Sequence, residues 1–164
     1  SALNLKLQSN GAIICKTALV NVMERAEKLG LVKIGNEYEP FKYLELSTFY
    51  HDEYQISTNG ADIKDTKVLN FDLSDFDLSD KKQKKLAGKR IEGSVKRFQR
   101  REHKSKNIRW SGAKVDLKAG TATMTHSEIG QICVEEFERT TELFDFKCDI
   151  TGEYMTGNNW LDTH

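Results

Sequence analysis

Residues 81–109 restrict this chain more than any other stretch. Thirteen lysines and arginines stand there against two acids, Glu92 and Glu102. A segment so charged has few ways to join a core. Ala87, Ile91, Val95 and Phe98 offer one, because they fall four, four and three apart, the repeat of a helix face. The spacing predicts a helix from about Lys81 to Glu102 with those four inward, capped by a side-chain oxygen of Ser79 or Asp80. The cations are then forced outward. Elsewhere the chain holds twelve basic and twenty-three acidic residues, so its formal charge of zero is a cancellation between a basic block and an acidic remainder. Like charges crowded together repel and oppose compaction.

The flanks of this helix read as a sheet. "TKVLNFDL" alternates Leu69, Phe71 and Leu73, a half-buried strand. "AKVDLK" and "TATMTH" are two alternating runs separated by Ala119-Gly120, which predicts a hairpin. Ile129, Ile132, Cys133, Phe137 and Phe144 mark a second amphipathic helix, and Phe146, Cys148 and Ile150 alternate in a last strand. The order over 67–151 is β-α-β-β-α-β, an α+β fold of the ferredoxin-like type, with two helices on one face of an antiparallel sheet. The segment "AKVDLKAGTATMTH" resembles the central hairpin of heavy-metal-associated domains, which share this topology. Those domains hold metal through a Cys-x-x-Cys pair before their first helix. Here that place reads "DLSDFDLSDKK", so the resemblance implies topology and not metal carriage.

The N-terminal part, 1–66, reads as a helix-and-strand extension packed on the unit of 67–164. Leu3, Leu5 and Leu7 alternate as a short strand, and "SNG" turns the chain. Leu19, Val22, Met23, Ala26 and Leu29 take helical spacing, with Gly30 as the stop. "LVKI" and "FKYLELSTFY" read as strands around Pro40, the one proline, and "STNG" as a turn. A rival parse makes "KTALVNVMERAEKLGLV" the recognition helix of a winged helix. That motif needs earlier helices, and about fourteen residues leave little room for them. The tail "GEYMTGNNWLDTH" reads as irregular, with Trp160 docking on the body or on a partner.

With 38% apolar and 30% charged residues in 164, the chain is globular rather than disordered. No apolar run approaches the length that spans a bilayer, and the start lacks a secretory layout. Cys15, Cys133 and Cys148 are odd in number and widely spaced; Cys133 and Cys148 read as small buried hydrophobes. This predicts the cytoplasm or another reducing intracellular compartment.

Function is read from the charge block. Lys89, Arg90, Lys96, Arg97, Arg100 and Arg101 cover the outer surface and flanks of the expected helix. Lys104, Lys106 and Arg109 continue along a loop to Trp110. Cations that displace counterions from phosphates, beside a ring that stacks on an unpaired base, suit a nucleic-acid partner. The expectation is a non-enzymatic nucleic-acid-binding protein of weak sequence preference, using those nine residues and Trp110 without a cofactor. The alternative is an assembly or scaffold protein, whose basic patch meets an acidic partner or a second copy. The repeat "FDLSDFDLSD" and the acids Glu128, Glu135, Glu136, Glu138 and Glu142 supply the opposite charge for that reading, or for neutralising the patch within the chain. A third reading takes Asp116 and Lys118, with Asp72, as the carboxylates and lysine of a Mg²⁺-dependent nuclease. His51, His103, His126 and His164 show no ligand spacing, and no Gly-rich phosphate loop or nucleophile elbow occurs.

Overall fold

The computed structural model describes residues 2–31, 44–50, 53–58, 60, 62–144, 151–158 and 160–163. Its elements are α1 (Ala2–Lys28), β1 (Leu44–Tyr50), β2 (Glu53–Thr58), β3 (Ile63–Asn70), α2 (Lys81–Lys106), β4 (Lys114–Asp116), β5 (Thr121–Ser127), α3 (Glu128–Leu143) and a short 3-10 turn at Trp160–Thr163. This is a mixed helix-and-strand fold with a three-stranded antiparallel sheet, as the α+β reading requires. The chain divides into two compact units: Ser1–Asp62 with Ile132–Glu153, and Ile63–Gln131 with Tyr154–His164.

In the second unit the sheet order is β3-β5-β4. Val68 lies opposite Thr123, and Val115 opposite Ala122. Since β5 is antiparallel to both neighbours, β3 and β4 run parallel with β5 inserted between them. Helix α2 links those two strands and buries Ala87, Ile91 and Val95, as the spacing predicts. Ile91 and Val95 join Trp110, Ala122 and Met124 in the core, with Leu69, Phe71 and Phe98 packed around them. Burying Ile91, Val95 and Met124 stabilises by about 1.5–3 kcal/mol each.

Local chemistry sets the ends of these elements. Each copy of the Phe-Asp-Leu-Ser-Asp repeat makes the same side-chain bond: Ser74 N–H donates to Asp72 and Ser79 N–H to Asp77, both at 3.0 Å. Asp80 is the cap of α2, accepting from Lys82 N–H at 3.0 Å. The helix ends at Asn107, which takes a left-handed conformation (φ 55°, ψ 35°) and donates its N–H back to the His103 carbonyl. In the hairpin, Asp116 accepts from the N–H groups of Lys118 and Ala119, and Gly120 supplies φ 65°. Ser127 caps α3, its hydroxyl accepting from Gly130 N–H at 2.9 Å.

The stretch from Tyr154 fastens this unit. The Tyr154 hydroxyl donates to the Arg109 carbonyl at 2.7 Å, with the Thr125 carbonyl at 3.2 Å, and accepts from Ser127 N–H at 3.1 Å. Its ring lies so near Gly130 that a side chain there would meet it at 2.4 Å. The hydroxyls of Thr125 and Thr156 also bond each other.

In the first unit, Ile14, Ala18, Val22 and Ala26 of α1 are buried at intervals of four. The helix closes at Gly30 (φ 69°): Gly30 N–H returns to the Glu27 carbonyl and Leu31 N–H to that of Ala26. This paired closure is the one glycine favours at a helix end. The expected strand at Leu3–Leu7 and turn at "SNG" are corrected, because α1 runs through both. Leu3 and Leu7 also stand four apart, and extending a formed helix adds a hydrogen bond for each residue fixed. Strands β1 and β2 pair antiparallel, with Tyr50 opposite Glu53. The strand expected at Phe146–Ile150 lies outside the described residues, as do most of "LVKI", Cys148, His51 and His164. Cys15 is buried and Cys133 half-buried. No helix among the described residues is long and apolar enough to cross a membrane.

Candidate nucleic-acid interface

Eight of the ten residues singled out from the sequence lie on one helix. Lys89, Arg90, Lys96, Arg97, Arg100, Arg101, Lys104 and Lys106 all belong to α2, and all are exposed. Lys104 and Lys106 were expected on a loop. They sit in the last turn of α2, where a cation meets the negative end of the helix dipole. Arg109 is half-buried, and its backbone is held on both sides: N–H to the Gln131 side chain at 3.1 Å and carbonyl to Tyr154.

Trp110 departs from expectation. It is 8% exposed and belongs to the core, with Phe98 and His126 rings at 5.9 and 6.0 Å. The loop turns it inward because its neighbours tie down: Ser111 N–H donates to the Thr125 carbonyl, and Ser111 Oγ accepts from Thr125 N–H. A stacking surface at Trp110 is therefore corrected to a core residue. Gln131 completes the fastening, as its Oε1 meets Arg109 N–H and His126 Nε2 while its Nε2 donates to the Asn107 carbonyl.

Several of the exposed cations have partners on α2 itself. Lys96 Nζ is 2.7 Å from Glu92, and Lys106 Nζ is 3.2 Å from Glu102, each one turn away on α2. Arg97 donates to Ser94 Oγ at 3.0 Å. Arg90 lies over Phe76 at 5.8 Å and Arg101 over Phe98 at 5.5 Å. Hydrogen bonding to Lys96, then the charges of Lys96 and Lys89, holds the Glu92 carboxyl below its ordinary range. Asp72 and Asp77 also titrate low, first because the serine two residues on bonds each of them. The charge of Arg90 adds a smaller pull on Asp72.

Sequence reasoning passed over part of this face. Lys81, Lys82, Lys84 and Lys85 are also exposed on α2. Lys82 stands seven before Lys89 and fourteen before Lys96, a spacing that keeps all three on one side. Four lysines at the positive end of a helix dipole oppose it, so helix stability does not account for them.

The other candidate chemistry resolves into structural roles. Asp116 closes the hairpin turn, and Asp72 bonds Ser74. Among the described residues no three histidines, cysteines or carboxylates gather where they could hold a metal ion. A cavity of about 200 Å³ in the first unit is lined by Asn21, Glu24, Arg25, Lys28, Glu136 and Arg139. Glu136 there is committed to Arg25 at 3.3 Å and Arg139 at 2.6 Å. Arg25 also meets Glu135 at 2.7 Å. Burial works against the Arg25 charge, and the bonds and charges of Glu135 and Glu136 outweigh it, raising its pKa. No protein-family model, curated protein or solved structure matches this chain.

Proposed function

We propose that the chain binds nucleic acid, without catalysis, through the solvent face of α2, and that a duplex is its preferred form. One observation carries the reading: twelve lysines and arginines of α2 are exposed, and Lys96 and Lys106 each meet a carboxylate one turn away on the same helix. With Trp110 in the core, binding draws on phosphate charge rather than base stacking. A duplex presents that charge more densely than a single strand, and its counterion release per contact is larger. Contacts to phosphate carry little sequence information, so sequence preference is weak. We further read 67–151 as ferredoxin-like. The parallel pair β3 and β4 with β5 between them suits a split βαβ arrangement.

The alternative, an assembly built on the same cations and the chain's own acids, draws less support. Glu128 is paired with Lys64 at 3.0 Å, and Glu135 and Glu136 with Arg25. Asp72, Asp77 and Asp80 are engaged in turns and a cap.

Polarisation of a labelled duplex and of its single strand, across salt concentrations, tests the proposal. Six phosphate contacts lower the affinity by about three orders of magnitude between 50 and 200 mM salt. The pair Arg97→Glu and Arg101→Glu removes two contacts and weakens binding about sixtyfold at 0.1 M. Binding that ignores both salt and these substitutions overturns the proposal. Sedimentation over a concentration series addresses the alternative, for which association must appear as concentration rises.

A further inference from the structure

We propose that Gly93 marks a phosphate seat at the middle of α2, where a phosphodiester group comes down onto bare helix backbone among four cations. The inference rests on the reading of α2 as the nucleic-acid interface and gives that interface a centre. On a helix the surface neighbours of a residue are three and four positions away. For Gly93 these are Lys89, Arg90, Lys96 and Arg97, all cationic and all exposed. No other residue of α2 has a lysine or arginine at all four of those positions.

The two cations on the C-terminal side each make a local bond beside it. Lys96 Nζ bonds Glu92 at 2.7 Å, and Arg97 Nη2 bonds Ser94 Oγ at 3.0 Å, one on either flank of Gly93. Helical side chains lean toward the N-terminus, which favours such bonds.

The fold itself does not require a glycine at 93. A methyl group added there meets nothing within 4 Å, so packing does not exclude it. Among the described residues the glycines with positive φ are 30, 60 and 120, so the backbone at 93 suits any residue. Glycine is the least favourable residue inside a helix apart from proline. What it gives is clearance. An oxygen seated on the backbone lies nearer to four positive charges than a side chain would permit, and attraction rises as separation falls. Two arginines add paired N–H donors and two lysines mobile point charges, a mixture suited to one phosphate and its neighbour along the strand.

Gly88 provides an internal control. It also lies inside α2, and an added methyl there again meets nothing within 4 Å. Its helical neighbours are Lys84, Lys85, Ile91 and Glu92. The seat therefore predicts different binding outcomes for two substitutions of the same chemistry.

The experiment compares Gly93→Ala, Gly88→Ala and the unmodified chain by polarisation of a labelled duplex across a salt series, with thermal melts of all three. Both variants should melt above the unmodified chain, which removes misfolding as an explanation. Gly93→Ala is expected to weaken binding about eightfold at 0.1 M salt and to reduce the salt slope by about 0.9, the contribution of one phosphate contact. Gly88→Ala is expected to bind as the unmodified chain does. Unchanged affinity and slope in Gly93→Ala, or an equal loss in Gly88→Ala, overturns the seat. If the Arg97→Glu and Arg101→Glu pair still weakens binding in that case, the interface stands and only its centre is wrong. If the unmodified chain shows no salt-dependent binding to the duplex, the interface reading falls and the seat with it.

Discussion

Helices α2 and α3 treat charge in opposite ways. On α3, Glu128 meets Lys64, Glu136 meets Arg25 and Arg139, and Glu138 accepts from Gly152 N–H. Most of these partners are distant in sequence, so folding brings them together and each bond helps to define the fold. On α2, Lys96 and Lys106 find carboxylates one turn away, in pairs that isolated helices also make. The Lys96 pair, exposed at both ends, is worth a few tenths of a kcal/mol and exchanges readily for another anion. The difference separates charge that builds the protein from charge it can offer to a ligand.

The comparison is broken most directly at Glu136, whose side chain is 2% exposed. Glu136→Ala should lower unfolding stability by about 2 kcal/mol in a denaturant titration. That is less than fully buried pairs cost, because Arg25 and Arg139 keep contact with water. In the same titration Arg97→Glu with Arg101→Glu should change stability by less than about 0.5 kcal/mol, while affinity for a duplex collapses. A large stability loss in that pair would mean that α2 uses its cations structurally, as α3 uses its carboxylates.

Tyr154→Phe comes next. It removes the donor to Arg109 and the acceptor of Ser127 N–H, and should cost about 1.5 kcal/mol. Binding should weaken little, since the cations of α2 are untouched. Gly93→Ala and Gly88→Ala should each stabilise by about 0.8 kcal/mol by thermal or chemical unfolding. Equal gains at the two sites sharpen the comparison, for they leave binding as the only property that distinguishes them.

The smallest effect concerns acid. The carboxyls of Asp72 and Asp77 titrate below their ordinary value of 3.8 when folded, because Ser74 and Ser79 bond the charged form. Their contribution is therefore present above the unfolded value and is lost as pH falls through the folded one. Titration followed by NMR should give both midpoints below those of Ser74→Ala and Ser79→Ala. Equal midpoints would show that the serines do not hold them.

How far the sequence could be read depended on how local each cause was. Helix α2 was legible because Ala87, Ile91 and Val95 repeat within one segment and Asp80 caps it from the adjoining residue. The hairpin was legible because Asp116 and Gly120 act within five positions. The start of α1 was not, since three alternating leucines fit a strand and a helix alike until the helix beyond them is known to form. Trp110 misled for a related reason. Nothing beside it in sequence marks it as core; what turns it inward is Thr125 bonding Ser111 and Gln131 holding Arg109, partners fourteen and twenty-two residues away. The outward cations were legible as a face, yet Gly93 drew no notice, because an empty position stands out only once its neighbours surround it.

The Tyr154 hydroxyl has a consequence for any attempt to cut the protein up. The backbone crosses between the two units at three places, and the ring that locks the sheet and the end of α2 arrives more than twenty residues after that sheet is complete. A fragment stopping at Gln131 would keep every strand of the sheet and every lysine of α2, yet leave the Arg109 carbonyl and Ser127 N–H to water. Transplanting the basic helix with its support thus means carrying a distant tail as well, like a latch that must travel with its door.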